Sequence, residues 1–256
     1  MTKLFNLDTN AKTVKGRSVG YATAILYLAA SDASGVQLCP MSALARCDAP
    51  CLLTAGRGGM AKDNATFISP GGRELPDNTV QRARLRRTEL FLTDPDAFFA
   101  QLCRELEKFI ATLPDDLVPC VRMNGTSDIR WEDLTVSHRG TVYENIFAAF
   151  PNVQFYDYTK IPNRRRALNI PNYHLTFSYS GVSDFAPVVL QAMRTYGSKV
   201  NYAVVFRGTP PEYFLGRRVV NGDESDLRFL DERGVVVALK AKGRAKKDTS
   251  GFVIAA

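Results

Sequence analysis

The chain has 256 residues, of which 45% are hydrophobic and 23% are charged, a globular composition able to bury a substantial core. No run approaches ~18 consecutive apolar residues, so no transmembrane helix and no membrane partner are expected. The first residues lack the apolar stretch of a signal peptide, which predicts a cytoplasmic protein. Because internal repeats and low-complexity linkers are missing, we expect residues 1–256 to form one α/β domain.

The formal net charge of +7 bears on the choice of partner. An excess of cations favours nucleic acid or a phosphorylated ligand, and a basic surface kept for solubility is the alternative. Many of the cations are clustered in the sequence, in three groups: Arg82, Arg84, Arg86 and Arg87; Arg164, Arg165 and Arg166; and Lys240, Lys242, Arg244, Lys246 and Lys247. This clustering favours a phosphate-facing surface. It does not predict an oligomeric state.

Strands and helices alternate along the chain. Short apolar runs predict six strands, at 20–30, 118–123, 153–158, 173–178, 201–206 and 235–239. A Gly/Asn/Pro-rich stretch precedes a helical region whose clearest part begins at Asp94-Pro95. Further helices are predicted at 143–150 and from Ser183 or Asp184 to Gly197.

The strand runs are continuously apolar, which is typical of a mainly parallel sheet covered on both faces. About six such strands favour a partial (β/α) barrel, and an open doubly wound sheet is the alternative. In both architectures the carboxyl ends of the strands form the active-site rim. The predicted strands end in polar groups, namely 124–128, 157–160 and 178–180.

Five cysteines are present, and three of them, Cys39, Cys47 and Cys51, share a loop at about 37–60 directly after the first strand. Closely spaced thiolates bind zinc or an iron–sulfur cluster. Since no fourth ligand follows nearby, an incomplete cluster with one open iron is one interpretation. Buried free thiols acting as small hydrophobic side chains are the other.

Two strand-end carboxylates, Asp128 and Asp157, are the candidates for acid, base or nucleophile. Either is equally consistent with a capping or turn residue. Lys160 is predicted to contact phosphate or to pair with Asp157. The glycine-rich stretch 55–59 is able to approach a phosphate closely.

Specific strings along nearly the whole chain resemble the mycobacteriophage gene-product-88-like proteins of phages and plasmids. They include Asn10-Ala11-Lys12-Thr13, the Cys39-Pro40 to Cys51-Leu52 loop, Asn124-Gly125-Thr126-Ser127-Asp128 and Phe155-Tyr156-Asp157-Tyr158-Thr159-Lys160. The resemblance implies a phage or mobile-element origin.

A looser resemblance is to the radical S-adenosylmethionine fold, in which a three-cysteine loop follows the first strand of a partial barrel. It implies an iron–sulfur cluster on Cys39, Cys47 and Cys51, with S-adenosylmethionine at the open iron. Asn124, Gly125 and Thr126 then take the place of the Gly motif after the second strand, and Ser178 is predicted to contact the cofactor. The C-x7-C-x3-C spacing departs from the CxxxCxxC of that fold.

The stretch around Asp157 is similar in outline to the nucleophile strand of guanine transglycosylases. That similarity implies zinc on the cysteines and base exchange through Asp157, although those enzymes carry their cysteines after the nucleophile. Our leading hypothesis is a phage-type iron–sulfur enzyme acting on a nucleotide or nucleic-acid-related substrate. The alternatives are the zinc enzyme and a non-catalytic nucleic-acid-binding or host-takeover protein.

Overall fold

A computed structural model describes residues 2–7 and 11–256. Asn10 of the first resembling string therefore lies outside the described residues. The strands are β1 (Phe5–Leu7), β2 (Tyr21–Leu26), β3 (Thr66–Ile68), β4 (Glu74–Pro76), β5 (Val118–Arg122), β6 (Val136–His138), β7 (Thr141–Tyr143), β8 (Gln154–Thr159), β9 (Tyr173–Ser178), β10 (Asn201–Arg207), β11 (Tyr213–Phe214), β12 (Arg217–Asn221), β13 (Val236–Lys240) and β14 (Ile254–Ala255). The helices are α1 (Ala11–Arg17), α2 (Thr79–Thr93), α3 (Pro95–Ala111), α4 (Ile146–Ala149), α5 (Arg165–Leu168) and α6 (Ala186–Tyr196).

The fold is mixed α/β and is built on one large sheet. Its order is β1-β2-β5-β8-β9-β10-β13-β12-β11, and β14 pairs with the end of β10. All neighbours from β2 to β12 are parallel, whereas the edge strands β1 and β11 run antiparallel to their partners. Strand order follows chain order from β1 to β10. Within the described residues the path does not close on itself.

Two helices that follow strands pack on the same face of the sheet. Phe98, Leu102 and Leu106 of α3 pack with Val121 and Phe155 in one core cluster. Val189 and Ala192 of α6 pack with Phe177 and Tyr202 in a second. Residues 155, 175 and 177 alternate along β8 and β9 on this side, and Phe177 is paired with Tyr202.

Helix α1 lies on the opposite face of the sheet from α3 and α6. A Cβ at Gly16 of α1 would stand 3.6 Å from Leu227 and 3.8 Å from Thr23, whose hydroxyl contacts Cys120 Sγ (3.1 Å). Helices thus occupy both faces, so their packing does not decide between the partial barrel and the doubly wound sheet. The chain after β12 also covers the face on which α1 lies. There Leu227 packs with Cys120 and Tyr156 of β5 and β8.

All six predicted strands are present within a few residues of their predicted bounds, and Asp94 caps α3 by accepting a hydrogen bond from the Ala97 amide (3.0 Å). Three predictions were wrong in detail. The sheet has ten strands, not six. Tyr143 belongs to β7, so the helix predicted at 143–150 is confined to Ile146–Ala149. Helix α6 begins after Phe185 with no side-chain cap from Ser183 or Asp184.

In the described part of the chain, no helix combines the length and apolar character needed to cross a bilayer.

Replacing Leu102 by Ala tests the packing of α3 on the sheet. Leu102 is completely buried in the first core cluster, so its loss should lower the free energy of unfolding by about 2–5 kcal/mol. Arg104, on the exposed side of the same helix, is the matched control, and Arg104→Ala should change this energy by less than about 0.5 kcal/mol. Urea unfolding followed by circular dichroism measures both, and equal effects would contradict the packing.

Candidate functional site

A cavity of about 640 Å³ opens at the carboxyl ends of the parallel strands. We call it the rim cavity. Nine of the ten predicted site residues line it: Cys39, Cys47, Cys51, Asn124, Gly125, Thr126, Asp128, Lys160 and Ser178. Cavities of this size accommodate small-molecule ligands and cofactors. The three thiols and the strand-end polar groups thus share one opening of the sheet, whereas Asp157 is not part of its wall.

The cysteine segment, residues 37–60, is held in place by contacts with distant parts of the fold. Arg73, just before β4, forms ion pairs with Asp32 and with Asp48 (3.4 Å) on either side of Cys39. Ser180, after β9, donates a hydrogen bond to the Ala45 carbonyl (2.9 Å). These contacts fix both the start and the middle of the segment against the strand ends.

The three thiols are free, and burial governs their protonation. Desolvation raises the pKa of Cys39 to about 12 and also raises the pKa of Cys47 and of Cys51. Lys160 opposes this shift at Cys47 and Cys51, and Arg84 opposes it at Cys51. Among the described residues, no group of three or more His, Cys, Asp and Glu side chains is arranged so that it could hold a metal ion.

Asn124 organises the loop after β5. Its side-chain oxygen accepts hydrogen bonds from Ser127 Oγ (2.9 Å), from the Ile129 amide (2.9 Å) and from Trp131 Nε1 (3.1 Å). The next residue, Gly125, lies so close to β2 that a Cβ would stand 2.6 Å from the Leu26 carbonyl oxygen. Any other residue would force the loop or the end of β2 to shift.

Asp157 is 0% exposed and faces the helix side of the sheet. Its Oδ1 accepts a hydrogen bond from the Asn124 amide (2.6 Å), and its Oδ2 accepts one from the Tyr173 hydroxyl (3.0 Å). Desolvation raises its pKa to about 7 even though these hydrogen bonds favour the charged form. Its predicted catalytic role stays a prediction, because the contacts seen here position the Asn124 loop.

Asp128 lies at the cavity wall within a buried polar network. Its carboxylate accepts hydrogen bonds from Thr159 Oγ1 and from the Lys160 amide, both 2.8 Å. Behind it, Arg164 is 1% exposed and forms a two-pronged ion pair with Glu132 (2.6 and 2.8 Å). Desolvation raises the pKa of Asp128, while the Lys160 amide, Arg164 and Thr159 oppose the rise. A buried carboxylate with these donors is suited to proton exchange or to holding a hydroxyl group.

The Lys160 side chain turns away from Asp157, which was one of its two predicted partners. Its Nζ donates to Ser178 Oγ (2.6 Å) and lies 5.0 Å from the centre of the Phe252 ring. Both Lys160 and Ser178 line the rim cavity. The ammonium group therefore remains available to an anionic group in the cavity.

Sequence reasoning missed two charged residues of the wall. Arg122, in β5, pairs with Asp226 (3.2 Å) and lies 4.7 Å from the centre of the Tyr158 ring. A charged residue inside an otherwise apolar strand was the available signal for Arg122. Asp226 lies in the polar stretch 221–226, and only its burial against β5 reveals its position.

Two of the three basic clusters are partly buried. Arg84, Arg87 and Arg164 are buried. Arg87 donates to the Lys3 carbonyl and to Asn6 Oδ1, on the side of β1. Only part of the first two clusters therefore reaches solvent, whereas all five cations of the third, Lys240, Lys242, Arg244, Lys246 and Lys247, are exposed.

Asp157→Asn tests the raised pKa. Between pH about 4 and 7 the folded protein keeps the Asp157 proton that the unfolded chain has lost, so this group's contribution to stability falls as pH rises. Relative to Asp157→Asn, the wild-type chain should lose up to about 4 kcal/mol of unfolding free energy across this window. Urea titrations of both metal-free proteins from pH 4 to 8 measure the difference, and parallel pH profiles would contradict it.

The comparisons with known proteins bear on family alone. No curated protein and no solved structure gives a significant match to the chain. The family model described as Gene product 88 matches residues 3–256. This match covers both the cysteine segment and the strand-end loops of the rim cavity, and it confirms the resemblance found in the sequence. The chain belongs to the gene product 88 family.

Proposed function

We propose that this protein is a phage-type enzyme that binds an iron–sulfur cluster through Cys39, Cys47 and Cys51 and S-adenosylmethionine at an open iron. One observation carries the proposal. Three free thiols, on a segment that follows the first parallel strand, line the same cavity as the polar loops after β5, β8 and β9. Carboxyl ends of parallel strands are where such folds assemble their chemistry.

The winding of the sheet supports the partial barrel that this function needs. Strands β2, β5, β8, β9 and β10 are neighbours in chain order, and α3 and α6 share one face. We take the other face, which α1 and the chain after β12 cover in part, as the interior of a partial (β/α) barrel. Arg122, Tyr158 and Lys160 lie along that face at the cavity.

For the three thiols we favour a cluster over a single zinc ion. Thiolates on one zinc ion stand only about 3.8 Å apart, because each Zn–S bond is about 2.3 Å, and no group of three such ligands that could hold a metal ion is found in the described part of the chain. A cluster spreads three thiolates over three irons, so it accommodates a wider separation. Arg84 and Lys160 would favour the thiolate form that ligation requires.

When bound, such a cluster supplies one-electron chemistry to S-adenosylmethionine. The chain's own residues bind and orient. Gly125 lets the loop after β5 lie against the end of β2, and Thr126 anchors it by donating to the Leu28 carbonyl. Asp128 offers a carboxylate at the wall, and Lys160, held on Ser178, offers a cation or a proton donor. We assign Asp157 a positioning role through the Asn124 amide.

The proposed substrate is a nucleotide or a nucleic-acid-related molecule. The formal net charge of +7 and the cations of the cavity wall support an anionic substrate. Free thiols are the state expected in a cytoplasm, which supports action there. We do not propose the zinc transglycosylase alternative, because it needs Asp157 to contact a base and this side chain has no exposed surface.

Elemental analysis tests the cluster. Protein purified without oxygen should contain about four iron and four sulfide per chain and should absorb visible light with a broad shoulder. Serine in place of Cys39, Cys47 or Cys51 should remove most of the iron. Cys103→Ser, which changes a free, buried cysteine in α3, is the matched control and should retain it. A colourless, well-folded wild-type protein without metal would end the proposal.

Lys160→Met tests the chemistry separately from the cluster. The variant should keep its iron, because Lys160 is not a proposed ligand. Reductive cleavage of S-adenosylmethionine should fall by at least about tenfold, because the cation held on Ser178 is lost. Lys242→Met, which removes a cavity lysine already paired with Asp223 (2.7 Å), is the control and should stay near wild type. Release of 5′-deoxyadenosine with dithionite as reductant is measured, and unchanged cleavage in Lys160→Met would exclude this role.

A further inference from the structure

Arg84 is a buried cation whose charge nothing in the described residues neutralises. It lies on α2, is 7% exposed and lines the rim cavity. Its Nη1 donates to the Leu53 carbonyl (2.8 Å), its guanidinium carbon lies 5.3 Å from the centre of the Tyr27 ring, and its Nε has no hydrogen-bond partner. No described carboxylate forms an ion pair with it.

Burying an unpaired charge is unfavourable unless another group compensates. Desolvation lowers the pKa of Arg84, yet an arginine keeps its proton. The unfavourable energy of burying the charge therefore lowers the stability of the fold. Arg87, one turn further along α2 and equally buried, shows the ordinary solution. Its three guanidinium nitrogens all donate, to the Lys3 carbonyl, to the Tyr27 carbonyl and to Asn6 Oδ1.

A glycine turn is held against Arg84. Gln81, one turn before it, donates through Nε2 to the carbonyls of Leu53 (2.8 Å) and Gly58 (2.7 Å). A Cβ at Gly58 would stand 2.5 Å from the Leu53 carbonyl and 3.3 Å from Arg84 Nη1. Glycine at position 58 thus lets the turn reach the guanidinium, and the exposed Arg57 of the same turn also lines the cavity.

The charge balance of the cavity wall indicates the class of ligand. Six cationic side chains stand against three acidic ones, which leaves an excess of three positive charges. Two of the acids are already engaged, Asp226 with Arg122 and Asp223 with Lys242. A carboxylate ligand carries one negative charge, whereas a phosphate monoester carries about 1.5 to 2 near neutral pH. The excess therefore favours phosphate. The proposed cluster would offset only part of it, since its irons neutralise most of the thiolate charge.

We infer that Arg84, together with Arg57 on the glycine turn 56–59, forms a binding site for a phosphate group of the substrate. Arginine is suited to this, because its planar fork donates two parallel hydrogen bonds to phosphate oxygens. The inference rests on the proposed function only in taking the rim cavity as the substrate site, and it narrows the substrate to a phosphorylated one.

Binding of simple phosphates to the anaerobically purified chain tests the inference. Inorganic phosphate, pyrophosphate and adenosine 5′-monophosphate are titrated by calorimetry at constant ionic strength, with succinate as a carboxylate comparison. Wild type and the matched control Arg87→Met should bind the phosphate probes saturably. Arg84→Met should bind them about ten- to a hundredfold more weakly, the effect of losing a charge-assisted hydrogen bond.

Two milder variants keep the test decisive if Arg84→Met does not fold. Arg84→Lys retains the charge without the fork, and Arg57→Ala changes an exposed side chain, so each should weaken binding by a smaller factor. The inference is overturned if no phosphate probe binds saturably, if the Arg84 and Arg57 variants bind like wild type, or if succinate binds as tightly as pyrophosphate. Loss of iron in Arg84→Met with unchanged phosphate binding also overturns it, since Arg84 would then compensate the cluster alone.

Iron analysis of the same samples separates this inference from the proposed function. A wild-type chain without iron that still binds phosphate through Arg84 overturns the cluster proposal alone. A chain that holds its cluster but binds no phosphate overturns the phosphate site alone.

Discussion

The contact between the Asp157 carboxylate and the Asn124 amide determines the geometry of the rim cavity. It joins the ends of two neighbouring parallel strands, β5 and β8, at 2.6 Å in a place without solvent. Through Asn124 it also sets the path of the chain as far as Trp131, whose indole donates to the same side chain. A buried carboxylate is tolerated only with such donors. The loop that carries Gly125, Thr126 and Asp128 therefore has one position available.

Around this fixed loop the cations of the cavity wall are held in an unusual way. Arg84 lies by Tyr27, Arg122 by Tyr158 and Lys160 by Phe252. An aromatic ring attracts a cation through its quadrupole and restricts its position, but it contributes no opposing charge. Arg122 also forms an ion pair with the Asp226 carboxylate. Among the described residues no carboxylate forms an ion pair with Arg84 or Lys160, which leaves both cations open to an anionic ligand.

The sequence predicted the centre of the sheet well and its edges poorly. Buried parallel strands are visible in the sequence as apolar runs, and all six such runs are strands in the structure. The strands that were missed carry no such pattern, because they form through pairing with a partner. They are the three-residue strand β1, the hairpins β3–β4 and β6–β7, and β12, with sequence Arg-Arg-Val-Val-Asn. The site residues were found by the rule that strand ends share one rim. That rule does not predict which face of the sheet a side chain points to. The alternation of side chains along β8 does predict it: Phe155 and Asp157 point to the helices, while Tyr158 and Lys160 point to the cavity or lie beside it.

The cysteine spacing was the least informative feature, for a reason that the structure makes plain. In a short motif such as CxxxCxxC the local turn alone sets where the thiols point. In C-x7-C-x3-C the intervening chain is too long for local geometry to do so, and contacts from elsewhere take over. Arg73 holds Asp32 and Asp48, and Ser180 holds the Ala45 carbonyl. Contacts between residues 25 to 135 positions apart along the chain thus hold the cysteine segment at the cavity. With the longer spacing, the thiols are therefore positioned by contacts with the rest of the fold and not by the loop alone. The longer spacing does not by itself argue against a ligand shared by the three thiols.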